Sequence, residues 1–275
     1  MTPQEIFKKK IDELIKKAQD MEEAEVKRVL AMLESARKEV AAQVASTPWQ
    51  AHHLAELKQA VDRAIVDFRV QWSAAISDHL TASWAHGIDM VDLPLREIGI
   101  FAAIPEIDTT ALSIMQDFSA DLVNGLTDEA KKKINNELTL AFMGQKTPYE
   151  AMEAIGRNLE DKNIFTNISK RSETITRNEG NRVLEAASQA RKKKASKVVT
   201  GLKKQWKHSF FGIKEPRPSH VMAHDQIRDV DEPFDVGGEE LMQPLDPAGS
   251  AENTINCHCY SVPYIPDWEA AGVAG

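Results

Sequence analysis

The residues whose types and spacing could do chemistry lie in the last third of the chain, between Arg217 and Tyr260. This stretch contains both cysteines of the protein, in the run Asn256-Cys257-His258-Cys259. Two histidines precede them, His220 in the run Arg217-Pro218-Ser219-His220 and His224 shortly after it. Thiolate and imidazole groups are the ligands that zinc prefers, and a small domain rich in proline and glycine gains folding free energy from a bound ion.

The spacing predicts a structural zinc site rather than a disulfide. Two cysteines separated by one residue do not easily form an unstrained disulfide with each other, which favours a reducing compartment. Three of the ligands would be His220, Cys257 and Cys259. The fourth remains open among His224, His258 and Asp225. The metal ligands predicted from the sequence are His220, His224, Cys257 and Cys259.

An enzymatic use of the same residues has less support in the sequence. His220 and His224 have the separation of a metalloprotease pair, but Val-Met-Ala lies between them and supplies no glutamate. A Cys/His or metal-dependent hydrolase is the less favoured alternative, because no oxyanion loop or positioned acid accompanies the Cys/His pair. No glycine-rich phosphate loop occurs. We therefore expect a protein that is not an enzyme.

The charge is strongly segregated although the net charge is only −8. Residues 165–217 are mainly basic, whereas Arg228 is the one basic residue from Pro218 onward. A basic helix over residues 169–199 is expected to contact double-stranded DNA without reading sequence, or else to present a solvated face or bind an acidic partner. The cations predicted to contact nucleic acid are Arg191, Lys192, Lys193, Lys194, Lys197, Lys203 and Lys204.

Two long amphipathic helices are predicted at the N-terminus. Residues 3–45 contain no glycine and no internal proline, and Thr47-Pro48-Trp49 reads as the start of a second helix that continues to about His86. Gly87 and Pro94 are expected to end that helix. The pair would either pack on itself or lie as an arm along a neighbouring subunit.

A helical middle region and a mixed C-terminal region follow. Capping signals predict helices over residues 109–125, 127–144 and 147–159, and another from Ser169 to Val199. After Gly201 the frequent prolines and glycines predict short strands and turns. The fold class is α+β and mostly helical, with boundaries predicted at residues 1–95, 96–165 and 166–275. The apolar runs are too short for a membrane span, so we expect a soluble protein that is not exported.

The order of several motifs resembles one phage family. The motifs are Arg171-x-Glu173-Thr174-x-x-Arg177-Asn178, Trp206, Arg217-x-x-His220, Glu232-Pro233-Phe234, Pro244-x-x-Pro247 and Asn256-Cys257-x-Cys259. Together they resemble the C-terminal domain of the phage Mu F-like minor head proteins. Two positions depart from the family pattern: His224-Asp225-Gln226 replaces a turn that contains glycine, and His258 replaces an arginine.

The resemblance implies a role in the assembly of a tailed phage. A member of this family is a minor head protein that associates with the portal protein and the procapsid and assists head morphogenesis, DNA packaging or DNA delivery. The implied partners are the portal protein and other head proteins, with non-specific contact to packaged DNA and none with membranes. The implied location is the head interior or portal vertex of the virion, after assembly in the host cytoplasm. The alternative is an accessory DNA-binding protein that uses the basic helix.

Overall fold

The chain folds into long helices followed by a small region of short antiparallel strands. The computed structural model describes residues 1–156, 163–209 and 215–272. The helices and strands in chain order are α1 Pro3–Ser46, α2 Leu54–Glu97, α3 Thr110–Phe142, α4 Pro148–Ile155, α5 Ile164–Ala195, β1 Lys203–Lys207, α6 Pro218–Met222, β2 Ile227–Asp229, β3 Phe234–Val236, β4 Glu239–Leu241, α7 Ala251–Thr254 and β5 Tyr260–Tyr264. The predicted fold class is confirmed. Among the helices so described, none combines the length and apolar character needed to cross a bilayer.

Two helices are longer than the sequence predicted because their internal glycines do not end them. Helix α2 continues through Gly87 and Pro94 and ends at a Schellman-type turn, in which the N–H groups of Gly99 and Ile100 donate to carbonyls of the last turn. Helix α3 likewise continues through Gly125 and ends at the same kind of turn at Gly144. At Gly99 and Gly144 φ is +84° and +72°, the conformation that glycine supplies at a helix end.

Helix α4 begins where its capping signal predicted. The Thr147 side chain accepts a hydrogen bond from the Glu150 backbone, and the Glu150 carboxylate accepts one from the Thr147 N–H. Helix α4 ends at Ile155, and the predicted end of this helix at Leu159 lies outside the described residues. Helix α5 begins at Ile164, five residues before the predicted start, and ends at Ala195.

Gly87 is retained inside α2 because helix α5 approaches it closely. A side-chain carbon built on Gly87 would overlap the backbone carbonyl of Leu184 and the side chain of Ala187.

Gly87→Ala is therefore expected to lower the free energy of unfolding by about 2 kcal/mol, since the helix backbones must separate. Gly125→Ala is the matched control. Nothing lies within 4 Å of a carbon added there, so it should raise stability by up to about 1 kcal/mol. Urea unfolding of both variants measures the difference, and equal effects would contradict the close-approach explanation.

The chain forms two compact units. One contains residues 24–78 and 116–176, and the other contains residues 1–23, 79–115 and 177–275. The first unit is helical, and its α2 and α3 run antiparallel, with the Asn135 amide donating to Asp62 and Arg69 pairing with Asp128. The predicted boundaries near residues 95 and 165 stay a prediction.

The second unit holds the candidate site and has two apolar cores. Strands β2, β1 and β5 form an antiparallel sheet in that order, and β3 and β4 form a hairpin. One core packs the start of α1, the end of α2 and the end of α5 against β5. The other core is small and lies around Trp206. Its buried members are Trp206, Ala223, Phe234, Val236, Leu241, Leu245, Cys257 and Cys259.

Candidate metal centre

Three of the four predicted ligands meet in the small core. His220 lies on the short helix α6, which has Pro218 as its first residue. The two cysteines lie in the loop between α7 and β5. All three side chains are buried, with 3% of His220 and 2% of each cysteine exposed. Their potential ligand atoms lie within 4.8 Å of one another, and within the described residues they form the one group of this kind.

The spacing of these atoms fits an ion with tetrahedral coordination. The Nδ1 atom of His220 lies 3.6 Å from the sulfur of Cys257 and 3.4 Å from the sulfur of Cys259. Zinc–sulfur bonds of about 2.3 Å and zinc–nitrogen bonds of about 2.0 to 2.1 Å at tetrahedral angles place N and S about 3.6 Å apart. One imidazole nitrogen therefore faces both sulfurs at the separation that a shared zinc ion requires.

The two thiols have different proton affinities. A hydrogen bond from the Cys259 thiol lowers the pKa of Cys257 well below its ordinary value. His220 lowers this pKa further, whereas burial raises it. The same contact, together with burial, raises the pKa of Cys259. The contact between the two thiols favours the loss of one proton from the pair, and a cation at the site would draw both sulfurs into the thiolate form that binds metal.

Two residues of the sequence signature hold the cysteine loop. The Asn178 side chain accepts a hydrogen bond of 2.8 Å from the backbone N–H of Asn256, which has φ +55°. The Arg217 guanidinium donates to the backbone carbonyl of Ile255 at 2.5 Å. Asparagine tolerates the left-handed conformation better than most residues, and this turn directs Cys257 into the core. Arg217 and Asn178 therefore position the loop from α6 and α5.

His258 points away from the two cysteines that flank it and faces a buried carboxylate. Its Nδ1 lies 3.7 Å from Glu22 of α1, which also pairs with Arg177 and accepts a hydrogen bond of 2.5 Å from Asn181. Glu22 is 3% exposed. No local pattern predicts this contact, because Glu22 lies far from His258 along the chain in an ordinary helical pattern.

The Glu22 cluster predicts an acid-sensitive contribution to stability. Burial would raise the pKa of Glu22, but hydrogen bonds from His258, Asn181 and Arg177 bring it below its ordinary value. A lowered pKa in the folded state stabilises the fold above the unfolded pKa of about 4.3, and this stabilisation is lost as the pH falls through the folded-state value.

Glu22→Gln should therefore cost about 2 kcal/mol at neutral pH and weaken the dependence of the unfolding free energy on pH below about 5. Urea unfolding between pH 3 and 7 measures both effects. Asp20→Asn on the same helix is the control, because its pair with Lys16 is exposed and surface pairs contribute little. The explanation is wrong if Asp20→Asn and Glu22→Gln have the same pH profile.

The fourth predicted ligand, His224, is not part of the group. Its Nδ1 accepts a hydrogen bond of 3.0 Å from the His208 backbone, and its Nε2 lies 3.6 Å from Asp225. The two other candidates, Asp225 and His258, also lie outside the group of three. Asp225 adopts the left-handed backbone conformation, with φ +62°, in the turn that contains a glycine in the family pattern. Its carboxylate pairs with Lys207 at 2.5 Å.

Three of the seven cations predicted to contact nucleic acid are buried. Arg191 forms two hydrogen bonds of 2.7 Å with Asp92, and Lys204 donates to the Met242 carbonyl and lies over the Phe234 ring. Lys192 is the third buried cation. Lysine is almost never fully buried unless paired, so its burial was not expected from the helical pattern. The predicted contact with DNA stays a prediction, and the cations at least partly exposed are Lys193, Lys194, Lys197 and Lys203.

Lys192 stabilises the outer edge of strand β5. Its ammonium donates to the carbonyl and hydroxyl oxygens of Ser261, while the Glu185 carboxylate accepts the Ser261 N–H. Burial raises the pKa of Glu185 to about 8 and lowers that of Lys192 to about 8. Pro263, two residues along the same edge of β5, has no N–H that would need a partner. Lys192 and Glu185 therefore provide hydrogen-bond partners for the backbone of Ser261 on the side of β5 that has no neighbouring strand.

Comparison with known proteins supports the resemblance. Residues 132–262 match the family described as Phage Mu protein F like protein. The chain is also 26% identical to the uncharacterized protein YqbB of Bacillus subtilis (strain 168) over 179 residues, which are 64% of this chain and 56% of the relative. The chain therefore matches little more than half the length of this curated relative. No solved structure matches. The predicted resemblance to Mu F-like proteins is confirmed over residues 132–262.

Proposed function

We propose that this chain, whose residues 132–262 match the phage Mu protein F-like family, is a minor head protein of a tailed phage that joins the portal protein to the procapsid. In this role it assists head morphogenesis, DNA packaging or DNA delivery, at the portal vertex or inside the head. The observation that carries the proposal is that the matched segment contains the signature residues, and these residues converge on one buried centre. Asn178, Arg217, His220 and the two cysteines come from separate parts of the segment and meet there.

We propose that zinc is a structural cofactor of this centre, held by His220, Cys257 and Cys259. The zinc would join α6 to the loop before β5 and so stabilise a small core that contains few large apolar side chains. The burial of all three groups supports a structural role over a hydrolytic one, because a nucleophile must be reached by its substrate.

Co-purification tests the proposed association. Tagged protein is co-expressed with the portal protein of the same phage, and the washed complex is analysed for both chains and for zinc. We expect the portal protein to co-elute and zinc to be bound in equal amount to the tagged chain. The control is the portal protein passed alone over the same resin. Failure of the chain to bind either the portal protein or assembled procapsids would overturn the proposed role, whatever the zinc content.

A further inference from the structure

The zinc centre proposed above needs a fourth ligand. Structural zinc sites are almost always tetrahedral with four protein ligands. The group of His220, Cys257 and Cys259 supplies three, and no fourth histidine, cysteine or carboxylate among the described residues belongs to it. The following inference rests on the proposed zinc centre and concerns its coordination.

The pairing of β1 with β5 brings a further histidine to this position. The strands are antiparallel, with Trp206 opposite Ser261 and Lys207 opposite Tyr260. One further step in the same register places His208 opposite Cys259. The backbone N–H of the next residue, Ser209, donates a hydrogen bond to the Cys259 sulfur. The chain after β1 therefore runs directly beside one of the proposed ligands.

The alternation of side chains along the strand directs His208 to the correct face. Trp206 is fully buried in the small core, and its ring packs edge-on against the His220 ring at 6.0 Å between centroids. Residues two apart along a strand point to the same face. If the strand alternation continues one residue beyond β1, His208 lies on the same face as Trp206, and its side chain is only 6% exposed.

We propose that the buried His208 ring, which lies outside the group of three, turns toward a bound ion and becomes the fourth ligand, which makes the centre a Cys2His2 zinc site. His224 acts beside the site rather than in it. Its Nδ1 accepts the His208 backbone N–H, and a hydrogen bond of this kind holds the backbone at residue 208 in place.

Metal titration of the full chain tests the assignment with Zn²⁺ and with Co²⁺ as a spectroscopic probe. His208→Ala should weaken Zn²⁺ binding by at least about tenfold, since even the loss of an outer-shell partner costs that much. X-ray absorption should change from two sulfurs and two nitrogens in the parent protein to two sulfurs and one nitrogen in the variant. His224→Ala is the matched control and should keep the parent coordination, with an affinity reduced less than in His208→Ala.

A gain-of-ligand variant keeps the test decisive if His208→Ala folds poorly. His208→Cys should retain tetrahedral Co²⁺ and show a third sulfur, with stronger charge-transfer absorption from thiolate to cobalt. The assignment of His208 is overturned if His208→Ala keeps the parent affinity and coordination, or if His208→Cys binds metal without a third sulfur. Absence of metal binding by the parent protein would instead overturn the zinc centre itself, and His208 with it.

Discussion

Replacing Cys257 by serine is expected to abolish zinc binding and to lower the free energy of unfolding of the C-terminal unit by about 4 kcal/mol when free zinc exceeds the dissociation constant a thousandfold. The reason is that a ligand bound by the folded state alone stabilises that state. Cys257 lies 3.6 Å from His220 Nδ1, at the distance a shared ion requires. Elemental analysis and urea unfolding with and without a chelator measure the two effects.

The control for Cys257→Ser is the residue next to it. His258→Ala changes the middle of the same motif, but His258 faces Glu22 rather than the metal group, so the variant should keep its zinc. The chelator should destabilise the parent protein and His258→Ala, yet leave Cys257→Ser unchanged. Zinc retained by Cys257→Ser would contradict the proposed coordination. A folded Cys257→Ser variant whose stability never depended on metal would return the hydrolase alternative to consideration.

Replacing Arg191 by methionine is expected to cost about 3 to 5 kcal/mol, because it leaves the buried Asp92 carboxylate without its partner. Arg191 also donates to the Pro105 carbonyl at 2.7 Å, so the substitution releases the segment after α2 as well. Calorimetry or urea unfolding at low and high salt measures the loss. The loss should persist at high salt, since buried pairs are screened much less than exposed ones.

A double variant isolates the ion pair from general packing. Arg191→Met combined with Asp92→Leu replaces both partners by apolar groups and should recover much of the stability lost in the single variant. Lys197→Glu is the surface control, because Lys197 is exposed, and it should alter stability by no more than about 0.5 kcal/mol. If Arg191→Met were as mild as Lys197→Glu, the buried role of Arg191 would be wrong.

The buried contacts of Arg191 and Lys192 limit which substitutions can test DNA binding. Reversing the charge of residues 191–194 together would break the Asp92 pair and the Lys192 contacts to Ser261, so a loss of binding would reflect unfolding. Substitutions confined to Lys194 and Lys197 avoid this problem. Each cation that contacts a phosphate should contribute about one unit to the slope of log affinity against log salt.

The sequence by itself determined the helical character, the short strands after Gly201 and the three residues that meet in the buried His/Cys group. Helical periodicity and capping residues act over one or two turns, so α1 and the start of α4 could be read locally. The order of Arg217-x-x-His220 and Asn256-Cys257-x-Cys259 carried the family resemblance. These inferences need only residues that are close along the chain or ordered in a recognisable way.

Only the tertiary structure decided which charged and histidine residues belong to the interior. Gly87 lies inside a helix because α5 packs on it, and Lys192 is buried because the edge of β5 needs a donor. The register of β1 with β5 brings the chain at residue 208 beside Cys259, whereas His224, predicted as a ligand, lies outside the group of three. The physical reason is that burial and partner choice depend on contacts between distant segments, and local spacing does not encode which of several similar side chains will meet.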